Sequence, residues 1–184
     1  AAAANEHSTA SAMDYEAVLE LARSRNAQLV MSSCLDQQMV IAMQVSEALG
    51  IPHPFSSETA LRVTNKKPMK RIMMDNGIPT ARYYEGRPGT ATRQVALDFP
   101  VIVKPADACG SAGVYKLESG ADLAEAVAKS GSWSRTGTTI VEEFKQGMEV
   151  SVYCFVNRGG AATVITTTQR VSKVDRDQVR CYCG

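Results

Sequence analysis

The stretch Phe99-Pro-Val-Ile-Val-Lys-Pro-Ala-Asp-Ala-Cys-Gly-Ser-Ala-Gly113 decides how this chain is read. Its first half, residues 99–105, is a short apolar run suited to a buried strand. Alternation places Val101 and Val103 on one face and Ile102 and Lys104 on the other. Pro105 keeps Lys104 extended, so the ammonium projects from a fixed backbone. The second half is a loop of small residues in which Gly110 and Gly113 permit positive φ and close approach of a ligand. Successive N–H groups in such a loop can form an anion-binding nest. A glycine loop alone reads equally well as a tight turn, but the preceding lysine turns the reading toward phosphate. The lysine precedes the glycines, and strands are expected on both sides. The stretch is therefore neither the Gly-Lys-Ser/Thr phosphate loop nor the dinucleotide Gly-x-Gly-x-x-Gly.

Outward from this stretch toward the C-terminus, strands are expected at 99–105, 113–117, 138–144, 148–156 and 161–169, with one helix at 122–129. Ser119 and Asp122 are spaced as a capping box, and Asn157-Arg-Gly-Gly160 reads as a hairpin turn. Glu142 and Glu143 close one strand. Glu149 opens the next, with Met148, Val150 and Val152 on its apolar face and Ser151 on the face of Glu149. Taken alone, Glu149 reads as a solvated edge residue. This half is an antiparallel α+β unit.

Toward the N-terminus the period is helical. Residues 14–25 carry Tyr15, Val18, Leu19 and Ala22 at helical spacing, with Asp14 and Glu16 suited to a helix start. Residues 28–32 read as a buried strand. A second helix at 36–49 is closed by Gly50 and Pro52, and helix, strand and helix in this order predict an α/β layer with parallel strands. A short helix is expected at 57–63. Another runs from the Asn65 cap to Asn76, with Pro68 tolerated in its first turn. The turn-rich stretch 85–92 is the expected domain boundary.

These segments together resemble the ATP-grasp superfamily, most closely the branch of the carbamoyl phosphate synthase large chain and biotin carboxylase. Asn65-Lys66-x-x-Met69 followed by Gly77-Ile-Pro79, the strand and glycine loop of 101–113, and Val141-Glu-Glu-Phe144 with Gly147 and Glu149 carry the resemblance. It implies a fold of α/β and α+β parts: a partial Rossmann-like pre-ATP-grasp domain (1–63), a connecting helix and strand (64–92), an antiparallel lid subdomain (93–146) and the start of the last subdomain (147–184). It also implies that the chain ends before the two acids and the asparagine that hold magnesium. ATP and Mg2+ are the implied cofactors. Lys66 and Lys104 would contact the phosphates as the catalytic lysines, covered by Gly110, Ser111 and Gly113. Glu142 would face the adenine amino group, the backbone of Glu143, Phe144 and Lys145 would read the ring edge, and Glu149 would accept ribose hydroxyls. Lys67 and Lys70 are read as surface charges. The implied reaction joins a small carboxylate to a nucleophile through an acyl phosphate, and a homodimer is compatible with it. The rival reading is a non-catalytic nucleotide-binding module or one part of a split enzyme.

Composition bounds the remaining classes. The 184 residues carry 20 Lys and Arg against 19 Asp and Glu, a net charge of +1. That balance gives no drive toward nucleic acid or an anionic membrane. No apolar run reaches the length of a bilayer span, and the start lacks the pattern of a signal peptide, so the cytoplasm is expected. Cys34, Cys109, Cys154, Cys181 and Cys183 are odd in number and read as reduced thiols. With only His7 and His53 as histidines, they are assigned no metal.

Overall fold

The computed structural model describes residues 4–33, 35–89, 96–175 and 178–183. The chain forms two compact units, Ala1–Gly77 and Ile78–Gly184.

Four helices build the first unit: α1 Tyr15–Ser24, α2 Asp36–Leu49, α3 Ser57–Thr64 and α4 Lys66–Asp75. Their ends follow from the local chemistry. The Asp14 carboxylate accepts the Ala17 N–H at 3.1 Å, the Ser56 hydroxyl accepts the Thr59 N–H at 3.1 Å, and Asn65 Oδ1 accepts the Lys67 N–H at 3.0 Å. Each satisfies a donor that the helix itself leaves open. Gly50 ends α2 in the left-handed region at φ 64°.

Leu19, Ala22, Ile41 and Val45 form one core of this unit, and Val40, Ala42, Met43 and Ala60 another. Val30 packs against both, yet residues 28–32 are not a strand. All strands among the described residues lie in the second unit, so this run has no ladder to join, and Leu29 and Met31 are exposed. Its apolar character serves packing at Val30 rather than backbone pairing. The expected parallel layer is correspondingly missing among the described residues, where every strand pair is antiparallel.

The second unit holds β1 Tyr83–Gly86, β2 Val101–Pro105, β3 Tyr115–Leu117, α5 Leu123–Gly131, β4 Thr139–Glu143, β5 Val150–Val156, β6 Ala162–Asp175 and β7 Gln178–Cys183. The strand order is β1-β4-β2-β3-β7-β6-β5. The long β6 pairs with β5 through its first part and with β7 through its last, and β7 meets β3 at the single pair Tyr115↔Gln178. Tyr84, Val101, Val103, Leu117 and Val141 pack on Ala126 and Val127 of α5. Burial of each such large apolar side chain stabilises the fold by about 1.5–3 kcal/mol.

Several local expectations change. Glu85 and Gly86 lie in β1 rather than in a turn. A Cβ at Gly86 would fall 2.6 Å from Thr139 Oγ1, and the Thr139 hydroxyl donates to the Gly86 carbonyl at 3.0 Å. The glycine there permits a close strand approach. The strand expected at 161–169 runs on as β6 to Asp175, while Arg176 and Asp177 lie outside the described residues. Asp122 precedes α5 but makes no side-chain cap, so the Ser119–Asp122 box does not form. The hairpin turn does form, with Asn157 Oδ1 accepting the N–H groups of Gly159 at 2.9 Å and Ala161 at 3.0 Å.

Candidate nucleotide site

The register of the second unit sorts its side chains onto two faces. Tyr83 pairs with Glu142, Glu142 with Ile102, and Ile102 with Lys116, and residues paired across a sheet share a face. Lys104 lies two positions from Ile102 on the same face. The opposite face is the one that α5 covers. Relative exposure agrees with the alternation read from the sequence: Val101 and Val103 are buried, Ile102 and Lys104 only half-buried.

Lys104 Nζ donates to the Glu142 carboxylate, and both side chains are largely shielded, at 21% and 12% exposed. Two residues expected to bind opposite ends of one ligand are thus direct neighbours. Phe144 extends the row, with the Lys116 ammonium 4.4 Å from its ring centroid and 2.7 Å from Glu118 Oε1. A cation over an aromatic ring at such a site contributes about 0.5–1 kcal/mol. The sequence reading missed Lys116. Period-two alternation opposite the buried Leu117 was the signal that could have found it.

Glu143, adjacent in sequence, points the other way. It is 8% exposed and accepts from Arg82 Nε and Lys145 Nζ, while Arg82 also bonds Asp98 at 3.0 Å. The Lys145 hydrogen bond, opposed by burial and aided by Arg82, holds the Glu143 carboxyl below the usual carboxylate range. Glu143 raises the Arg82 guanidinium in return. The N–H of Glu143 donates to the Arg82 carbonyl at 3.1 Å and that of Phe144 to the Pro100 carbonyl at 3.0 Å. Both hinge donors are therefore committed to the sheet. No local pattern reveals Arg82, which lies 61 residues from Glu143.

Between β2 and β3, the loop turns with positive φ at Gly110 (65°), Ser111 (59°) and Gly113 (68°). Serine rarely adopts that region. A Cβ built on Gly110 would meet nothing within 4 Å, so the outer side of the loop is open to a ligand. Asp107, at its root, is 4% exposed.

Glu149 lies outside this row, immediately before β5. Its carboxylate is 3.2 Å from Arg170 Nη1, and the Arg170 N–H donates to its carbonyl at 2.9 Å. Val150 and Val152, expected on an apolar face, are 50% and 54% exposed. Lys66 lies in the first unit as the first residue of α4, half-buried. Lys70, expected as a surface charge, is 4% exposed. It lies one helical turn beyond Lys66 on the same face, and its long stem can be covered while the charge finds a partner.

Cys109 and Cys154 are free thiols, whereas Cys34 and the side chains of Cys181 and Cys183 lie outside the described residues. Among the described residues, no group of three His, Cys, Asp or Glu side chains stands together to hold a metal ion. No helix among them is long and apolar enough to cross a membrane.

Residues 97–183 match the model of the ATP-grasp domain. The chain superposes with a TM-score of 0.70 on the L-amino acid ligase from Bacillus licheniformis, at 21% identity over 85% of this chain and 37% of that one. The fold is shared with that ligase. The N5-carboxyaminoimidazole ribonucleotide synthetase solved as an ADP complex gives a TM-score of 0.69 at 21% identity, covering 92% of this chain and 44% of the other. A D-alanine–D-alanine ligase from Bordetella avium is 31% identical over 109 residues, 58% of this chain and 34% of that protein. The chain spans about a third of the length of the curated relatives it matches. Within the ATP-grasp part, the strand carrying Lys104, the glycine loop and the strand carrying Glu142 fall inside the matched residues.

Proposed function

We propose that this chain is the nucleotide-binding part of an ATP-dependent ligase that activates a small carboxylate as an acyl phosphate. The observation that carries this reading is the Lys104–Glu142 pair on the sheet face opposite α5, with the small-residue loop 107–113 following Lys104 in a segment that matches the ATP-grasp domain. Lys104 neutralises phosphate charge, Gly110, Ser111 and Gly113 cover it, and Glu142 with Phe144 meets the adenine. Glu149 takes the ribose hydroxyls, exchanging its Arg170 partner for them. Because the Glu143 and Phe144 donors are held by the sheet, the adenine edge is read by the remaining backbone groups of residues 143–145.

In the reaction, a carboxylate oxygen attacks the γ-phosphorus, the bond to the β,γ-bridging oxygen breaks, and ADP leaves. An amine then attacks the acyl carbon and expels phosphate. Such a transfer depends on positioning and charge neutralisation. The names of the matched relatives favour an amino acid as the carboxylate. The carbamoyl phosphate synthase and biotin carboxylase branch is the alternative that the motifs suggested. Among the described residues, no group of acids stands together to hold magnesium. The subdivision at 63/64, 92/93 and 146/147, a homodimer and a cytoplasmic location belong to the same proposal.

Calorimetric titration tests the class of ligand: ATP is expected to bind in clear preference to a simple sugar phosphate, and equal binding rejects the reading. For catalysis, a lysine about 4 Å from a phosphate oxygen contributes on the order of 4 kcal/mol at an effective dielectric near 20, before desolvation. Lys104→Met in the complete enzyme is therefore expected to lower turnover at least about a hundredfold, each 1.36 kcal/mol being about tenfold in rate. A near-normal rate removes Lys104 from the site.

A further inference from the structure

The turn after α5 is built against the root of the glycine loop. Trp133 is the only tryptophan of the chain and is 56% exposed, yet its indole is seated on Gly113. A Cβ there would fall 2.7 Å from Trp133 Cδ1 and 3.0 Å from Pro105 Cγ. At the other end of the loop, Arg135 Nε lies 3.9 Å from Oδ2 of the buried Asp107, and the Ala106 N–H donates to the Thr138 carbonyl at 3.0 Å. The turn is itself braced, since Ser134 Oγ accepts the N–H groups of Thr136 at 3.2 Å and Thr138 at 3.1 Å. Both ends of the loop are thus gripped by one turn, while its tip at Gly110 has open space around it.

We propose that Trp133, with Arg135, is a positioning residue that fixes the two ends of the loop 107–113, so that Gly110 and Ser111 are presented to the phosphates of the nucleotide. The inference rests on the nucleotide reading given above. Trp133 acts through Gly113 and touches no reacting atom. Its aromatic plane is what the contact needs, because Gly113 offers a flat backbone surface without a Cβ and Pro105 an apolar ring edge. Phenylalanine should therefore serve where alanine does not.

The test compares wild type, Trp133→Ala, Trp133→Phe and Arg135→Ala in two arms. In the first, ADP and adenosine are titrated calorimetrically. Trp133→Ala is expected to weaken ADP binding about tenfold and to leave adenosine binding unchanged, because a misplaced loop costs phosphate contacts only. Trp133→Phe is expected to restore most of the loss, and Arg135→Ala to weaken ADP by a smaller factor. Equal weakening of ADP and adenosine would mean general damage and would overturn the proposal, as would unchanged ADP binding in Trp133→Ala.

In the second arm, amide hydrogen exchange is followed at residues 107–113 without nucleotide. Exchange is expected to rise at least about tenfold in Trp133→Ala and to stay near wild type in Trp133→Phe. Unchanged exchange in Trp133→Ala overturns the grip itself. If wild type binds no ADP, the nucleotide reading falls, and with it the phosphate role assigned to Trp133. This arm still decides whether the turn holds the loop.

Discussion

The four-stranded part β1-β4-β2-β3 and the hairpin β5–β6 are made of similar residues and differ in what covers them. In the first, α5 lies on the face of Val101, Val103 and Val141, which are at most 1% exposed, and Ile140 on the opposite face is fully buried as well. In the second, Val150, Val152, Phe155, Val156, Val164 and Ile165 are all at least 50% exposed. Valine and isoleucine thus record a preference for the pleated backbone in both places, and a buried core in only one. A run of β-branched residues locates a strand but does not say which side of it is dry.

That contrast can be broken by substitution. The largest effect is expected at Ile140, which is fully buried on the central strand β4. Ile140→Ala should cost about 2–5 kcal/mol in a urea titration, the usual range for such a truncation. A loss below about 1 kcal/mol would show that the covered part packs no better than the hairpin.

A second effect, smaller and dependent on pH, lies at Glu143. Its pKa in the folded state is depressed below 4.5, first by Lys145 and then, against burial, by Arg82. The ionised carboxylate therefore contributes stability that is present above the unfolded value and is lost as pH falls through the folded one. Wild type should exceed Glu143→Gln in urea midpoint near neutral pH, and the difference should close as pH falls below 4.5. A gap that stays constant with pH would detach Glu143 from its cations.

The smallest effect is expected on the hairpin. Val152→Ala should change stability by no more than about 0.5 kcal/mol, as exposed substitutions do. A larger loss would reveal burial that the hairpin acquires in solution and would narrow the contrast.

Much of this was readable beforehand because the chemistry is local. Gly50 and Pro52 stop α2 at Leu49 whatever surrounds it, and Asn65 starts α4 through its own side chain. Alternation along 101–105 put Lys104 on the correct face for the same reason. Sequence and structure part where a distant partner decides. Residues 28–32 had the composition of a strand but no neighbour to pair with. Gly86 read as a turn because Thr139, which needs that glycine, is 53 residues away. Glu142 and Glu143 look interchangeable in the sequence. Only the register shows that one meets Lys104 on the site face and the other meets Arg82 on the α5 side. Lys70 reads as a surface charge in the sequence because helical spacing relates it to Lys66 without saying which face of α4 is covered.

The hairpin carries one more feature with a practical meaning. Tyr153 pairs with Thr166 and Cys154 with Val164, so Ile165 is an extra residue in the β6 ladder. Removing one residue from a regular strand inverts the sidedness of everything beyond it. At a bulge the surplus residue can be dropped while its neighbours keep their sides. A codon-by-codon deletion scan of this hairpin would thus find its most permissive position at Ile165, where the chain already carries one residue more than its partner strand can count.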